Sequence, residues 1–152
     1  MMLIMFMRGA LLALVVLGAF AAAPARAFDF PRLAPLDEEA VDPAFLDDMF
    51  GVWELRDKSG KKRCQVTLHR EMSIGGRQIE VAPGCAKIFP VMDDITAWRL
   101  NQGWTIDLVD ALRKTRLRLE TPDERYIAVG DDQDVAGIET FVKVETKKPK
   151  KK

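Results

Sequence analysis

Histidine is nearly absent from this chain: His69 is the only one in 152 residues. With no Ser or Cys nucleophile motif near it, His69 builds no acyl-transfer set and reads as a surface residue on the polar face of a strand. Cysteine is almost as scarce. Cys64 and Cys85 are the two present, and with one distant imidazole they do not make the four-ligand set of a structural zinc site. A charge excess is missing too: 23 Lys and Arg balance 23 Asp and Glu, which excludes a dedicated nucleic-acid binder, since such domains carry a clear basic surplus. The chain lacks an apolar run of the ~20 residues that a bilayer-spanning helix needs. The acidic stretch Asp37-Glu38-Glu39 lacks the ligand spacing of a calcium loop and reads as a solvated flank; Asp131-Asp132-Gln133-Asp134 reads as a polar loop, with calcium binding as its alternative. No catalytic constellation, metal set or cofactor motif is left, so the expectation is a non-enzyme without a cofactor. At this length it forms one domain.

What is present sorts into four pieces. Arg8, an apolar run of about a dozen residues from Gly9 to Phe20, and Ala25-Arg26-Ala27 are the basic, apolar and Ala-x-Ala parts of a secretory signal peptide, residues 1–27. No cysteine follows the run, so no lipoprotein-type attachment is expected. The expected localisation is periplasmic, with no stable membrane insertion after cleavage. Export to an oxidising compartment, with an even cysteine count, reads as one disulfide, Cys64–Cys85. Residues 28–42 carry Pro31 and Pro35 and a surplus of acids. Proline removes a donor and biases its predecessor toward extended geometry, so this stretch is expected to be an extended, mobile arm. Asp42-Pro43 fits an N-cap with Pro at the first helical position. Phe45, Leu46, Met49 and Phe50 fall on one face of a short helix that ends at Gly51 and lies with its apolar side on the domain. The tail, residues 146–152, is lysine-rich and reads as disordered; attraction to anionic envelope polymers is the alternative for it.

From Val52 onward the apolar period is two. Trp53 and Leu55 share a face, as do Cys64, Val66 and Leu68, then Ile79 and Val81, then Thr96, Trp98 and Leu100. Trp104, Ile106 and Leu108 follow, then Thr115, Leu117 and Leu119, then Ile127 and Val129, and last Ile138, Thr140, Val142 and Val144. Asp57-Lys58-Ser59-Gly60, Gly75-Gly76 and Asn101-Gln102-Gly103 punctuate them as turns. Eight short strands in sequence, each with one apolar face, give an all-β fold: an eight-stranded antiparallel up-and-down β-barrel over residues 43–145, with a short N-terminal helix and one disulfide. Trp53, Trp98 and Trp104 are expected to fill the interior. Phe141 breaks the alternation and is expected to be covered by the helix, with a role as a contact residue as the alternative.

The ordered set Gly51-Val52-Trp53-Glu54-Leu55, Arg63-Cys64, Ala82-Pro83-Gly84-Cys85 and Thr96-Ala97-Trp98-Arg99-Leu100 resembles the alkaline metalloprotease inhibitor family of the Inh type, which has outer-membrane lipoprotein relatives. The resemblance runs from about Pro43 to Val144. It implies a small periplasmic barrel that binds a secreted bacterial zinc metalloprotease of the serralysin class, with an amino-terminal arm entering the protease cleft; other proteases are the alternative partners, and a monomer is expected. On this chain the arm corresponds to Phe28, Asp29, Phe30, Pro31, Arg32 and Leu33. The stretch from Phe28 to Gly51 is longer and more acidic than the family's arm and begins with a large residue, which points to an extended segment lying across the cleft by strand-like hydrogen bonds. A small-ligand carrier and a non-inhibitory envelope interaction protein are the alternatives on the same barrel.

Overall fold

A computed structural model of the chain describes residues 29–130 and 137–145. The expected signal segment, Phe28, the polar loop at Asp131–Asp134 and the lysine tail lie outside the described residues. Eight antiparallel strands form a closed barrel in chain order: β1 (Gly51–Asp57), β2 (Arg63–Ser73), β3 (Gly76–Val81), β4 (Ile95–Asn101), β5 (Thr105–Asp110), β6 (Thr115–Glu120), β7 (Tyr126–Val129) and β8 (Ile138–Lys143). β8 returns to pair with β1, pairing Leu55 with Phe141, so no strand edge is left unpaired by the closure. The interior is solid. Leu55, Leu68, Trp98, Ile106, Leu108, Leu117 and Leu119 are all buried at 1% exposure or less, as an eight-stranded cylinder filled by its own side chains requires.

The helix α1 (Pro43–Met49) precedes the barrel and is capped as its sequence dictates, the Asp42 carboxylate accepting from the Ala44 N–H at 2.8 Å with Pro43 in the first turn. It packs through Leu46 and Met49, while Phe45 is 63% exposed. The sequence pattern places Phe45 on the buried face. A two-turn helix touches a curved wall along a narrow stripe, and one residue step rotates a side chain by about 100°. The Met49 carbonyl accepts the Trp53 indole N–H at 2.9 Å, and Lys143 Nζ donates to the carbonyls of Asp48 and Phe50, closing the helix end with a cation.

The disulfide joins Cys64 at the start of β2 to Cys85, the first residue of the one-turn helix α2 (Cys85–Ile88). It ties the β3–β4 connection to the wall. In that connection Phe89 and Met92 are buried against the core.

Three expectations about the core are corrected. In β7 Tyr126 and Ala128 face inward, opposite Phe141 and Leu119, and Ile127 and Val129 do not, because cross-strand partners share a face. Trp104 does not start a strand. Gly103 and Trp104 both adopt positive φ, at 72° and 59°, and complete the β4–β5 turn, so β5 begins at Thr105. Trp104 is half-buried, packed against the core from outside it, and its carbonyl accepts the Tyr126 hydroxyl at 2.7 Å. In β8 the inward pair is Ile138 and Phe141 rather than Ile138, Thr140, Val142 and Val144. The β1–β8 register shifts between Arg56 and Asp57, which skips Glu139, and an inserted residue inverts the alternation beyond it. Phe141 therefore joins an aromatic cluster, stacked on Trp53 with ring centroids 4.8 Å apart and edge-on to Tyr126. Trp53 and Tyr126 meet edge-to-face at 5.6 Å.

The β2–β3 register also shifts, between Leu68 and Met72. Trp98 Nε1 lies 3.1 Å from the carbonyls of both His69 and Gln78, which satisfies acceptors that the broken ladder leaves open. Beyond the shift the hairpin curls over the outer face of β4 and β5. A Cβ on Gly75 would lie 3.7 Å from Val109 and 4.0 Å from Ala97, and both of those residues are fully buried although they point away from the interior. Gly76 passes so close to β4 that a Cβ there would meet the Trp98 carbonyl at 2.4 Å, so glycine is the residue that fits.

Candidate functional site

The outer wall at β4–β6 is covered a second time, by the segment that leads into α1. Pro35 forms an antiparallel bridge with Asn101. Around it the Gln102 N–H donates to the Ala34 carbonyl at 2.9 Å, and the Leu36 N–H donates to the Leu100 carbonyl at 3.1 Å. Proline at 31 and 35 removes two donors, so the segment makes a strap of single bridges instead of a ninth strand. Asp37 caps a short 3-10 turn, Glu38–Ala40. The Glu38 carboxylate then accepts from Arg77 Nη2 with both oxygens, at 2.6 and 2.8 Å. The expected mobile arm is thus docked on the barrel from Pro31 to Glu38.

Its fixed point is Arg118. Arg118 Nε donates to Asp107 Oδ1 at 2.7 Å, and Nη2 donates to Asp107 Oδ2 at 2.9 Å and to the Pro31 carbonyl at 2.9 Å. Both side chains of the pair are 4% exposed. The Arg118 guanidinium also lies 5.1 Å from the Phe30 ring centroid, a cation–π distance. Thr115 Oγ1 adds a donor to Asp107 at 3.3 Å. These groups belong to the polar faces of β5 and β6, where Asp107 and Arg118 are cross-strand partners. The strap removes them from water, and the pairing keeps either charge from being buried alone.

The predicted arm residues divide accordingly. Phe30 and Pro31 are seated on Arg118, Leu33 is half-buried, and Asp29 and Arg32 are exposed. Phe28 lies outside the described residues. A cavity of about 780 Å³ opens between Asp29–Leu33 and the wall, where Arg99, Arg113 and Lys114 face the strap. A second, of about 450 Å³, lies on the other side of Pro35, between the strap and the β2–β3 hairpin. Asn101 lines both, and its buried Nδ2 has no hydrogen-bond partner among the described residues. Sequence reasoning missed Arg118, Asp107, Asn101, Glu38 and Arg77. Opposite charges at a cross-strand pair are a readable signal for Asp107 and Arg118; their burial is not, because it comes from a segment some 80 residues away in sequence.

Two turns frame this face. Asp110 Oδ1 accepts the backbone N–H groups of Leu112 and Lys114, each at 2.9 Å, and Oδ2 accepts from Arg116 at 3.4 Å. Partial burial opposes the charge of Asp110, but the Lys114 N–H, Arg116 and the Leu112 N–H outweigh it and hold the carboxyl below its usual value. Arg116 also reaches Asp94 at 3.1 Å. Arg99 joins the turns, its Nε donating to the Gly75 carbonyl at 2.6 Å and its Nη2 to the Arg113 carbonyl at 3.4 Å. His69 lies half-buried 3.7 Å from Glu80. Among the described residues no group of three His, Cys, Asp or Glu side chains is placed to hold a metal ion.

The model of a family described as "Protease inhibitor Inh" matches residues 45–137, more than half of the chain. The match starts inside α1 and leaves the strap outside it. No curated protein matches the chain.

Proposed function

Because the chain belongs to the Inh protease inhibitor family, we propose that it inhibits secreted zinc metalloproteases of the serralysin type, acting in the periplasm. The family itself supports a protease-inhibitor role, a protease as partner and a non-catalytic protein. The finer reading rests on the strap. A closed, disulfide-linked barrel holds an extended segment whose anchor, Pro31, is gripped by a buried Arg118. The residues that lead into that anchor, Phe28, Asp29 and Phe30, form the working end, with Arg32 and Leu33 beside it. An extended end of this kind enters a protease cleft as an added strand, by backbone hydrogen bonds. Because the holder is ordered before contact, less conformational entropy is lost on binding. A single disulfide is the covalent chemistry of an oxidising compartment, which with the leader-like sequence supports export.

A filled interior, with Trp98, Ile106, Leu108, Leu117 and Leu119 at 0% exposure, disfavours a lipocalin-like carrier. The test is a titration against a serralysin-type zinc protease and, in parallel, a serine protease. Inhibition of the zinc enzyme alone, lost when residues 28–33 are deleted while the barrel stays folded, is the expected result. No inhibition at micromolar concentration overturns the reading and leaves a non-inhibitory envelope role.

A further inference from the structure

Met72, Ile74 and Leu112 are 73%, 75% and 89% exposed. Met72 lies at the end of β2, Ile74 in the β2–β3 turn and Leu112 in the β5–β6 turn, and the fold brings these two tips into contact. A Cβ on Gly75 would lie 3.5 Å from Arg113 Cγ, and Arg99 bonds to the backbone of both tips. Both tips are held in shape. Asp110 clamps the β5–β6 turn through the N–H groups on either side of Arg113, and the β2–β3 hairpin lies against Ala97 and Val109. The apolar side chains are therefore presented outward on rigid supports, without a packing role for the fold.

The same tips border the strap. Arg99 and Arg113 line the cavity beneath Asp29–Leu33 and also the one beside Met72. Among the described residues Arg32, Arg113 and Lys114 take part in no ion pair, and of the acids beside them Asp107 is bonded to Arg118 and Asp29 alone is left, so the rim of this surface carries a net positive charge. Three side chains expose roughly a few hundred Å², against the ~800 Å² per partner of a stable interface. The patch is too small to hold a second copy of the chain by itself and large enough to extend an interface anchored elsewhere.

We propose that Met72, Ile74 and Leu112, with Arg113 and Lys114, form a second contact to the protease, a shoulder beside the strap that packs on an apolar, acidic stretch of the cleft rim. This rests on the inhibitor reading above. A body that takes the leading residues of the strap comes within reach of the two tips, and apolar anchors inside a charged rim are the composition of an interface centre. The cations steer the approach, and their contribution falls with salt.

The purified full chain, a Met72→Ser/Ile74→Ser/Leu112→Ser variant and an Arg113→Glu variant are titrated against a serralysin-type protease, with melting curves recorded for each. The triple variant is expected to melt like the parent and to inhibit at least roughly tenfold more weakly, mainly through faster dissociation. Arg113→Glu is expected to slow association severalfold at low salt and to make little difference at high salt. If the parent inhibits and the triple variant matches it within twofold, the shoulder is wrong and the strap reading stands. If the parent fails to inhibit, the inhibitor reading is wrong and the shoulder falls with it. A parent that is dimeric by sedimentation and becomes monomeric in the triple variant also overturns the proposal, in favour of self-association.

Discussion

Arg118 grips both oxygens of Asp107, at 2.7 and 2.9 Å, and with the same Nη2 holds the Pro31 carbonyl at 2.9 Å. One buried cation thus closes a cross-strand pair and fastens the strap. Replacing it alone, as Arg118→Met, leaves Asp107 buried without a counter-charge and is expected to cost about 3–5 kcal/mol in urea unfolding. The double variant Asp107→Leu/Arg118→Met removes both charges and is expected to recover most of that stability. It still lacks the donor to Pro31, so it should inhibit more weakly than the parent at nearly equal stability. Equal inhibition by parent and double variant would show that the strap needs no anchor at Arg118.

Tyr126 donates its hydroxyl to the Trp104 carbonyl at 2.7 Å, and burial pushes its pKa up to about 12. Tyr126→Phe keeps the ring against Trp53 and Phe141 and loses the bond, at an expected cost of about 1–2 kcal/mol at neutral pH. The raised pKa adds an alkaline signature. Its stabilisation is complete below about pH 10, the unfolded value, and is lost as pH rises toward about 12. Melting curves of the parent should therefore fall through that window more steeply than those of Tyr126→Phe.

Asp110 is a depressed carboxylate, so the sign reverses. Its contribution is present above about pH 4, the unfolded value, and disappears as pH falls through the lower folded value. Asp110→Asn should melt below the parent at pH 6, and the gap should close on acidification. A gap that persists unchanged at pH 2 would mean that the neutral amide disturbs the Leu112–Lys114 turn for steric reasons.

Cys64 and Cys85 are 21 residues apart in sequence and bonded. Closing a loop of that size restricts the unfolded chain by about 3 kcal/mol in the chain-entropy treatment. The variant Cys64→Ala/Cys85→Ala should lose a comparable amount at neutral pH while keeping its β-sheet circular dichroism. A loss near zero would place the stability of the β3–β4 connection in Phe89 and Met92 alone.

The strands were legible because burial of one face imposes period two. Trp53 with Leu55, Val66 with Leu68, and Leu117 with Leu119 all point inward as their spacing predicts. The turns at Asp57–Gly60 and Gly75-Gly76 were legible from residues that tolerate positive φ or supply local acceptors. Phe141 and Trp104 were misplaced because a bulge and a left-handed turn shift the count by one residue, and neither leaves a mark in hydrophobic periodicity. In the strap, prolines at 31 and 35 marked extended backbone correctly but not where it lies. Ala34 and Leu36 find their hydrogen bonds at Gln102 and Leu100, and no local pattern announces a partner so far along the chain.

By itself the sequence determined the all-β class, the number and order of the strands, the one possible cystine and the capped helix before them. Each of these follows from local period, local turn chemistry or a count of two. Only the tertiary structure decided what covers the polar side of β4–β6. Asp107 and Arg118 look like ordinary solvent-facing charges in their own strands. They become a buried anchor because barrel closure sets that wall where the strap crosses it, and a charge pair is worth most where water has been displaced.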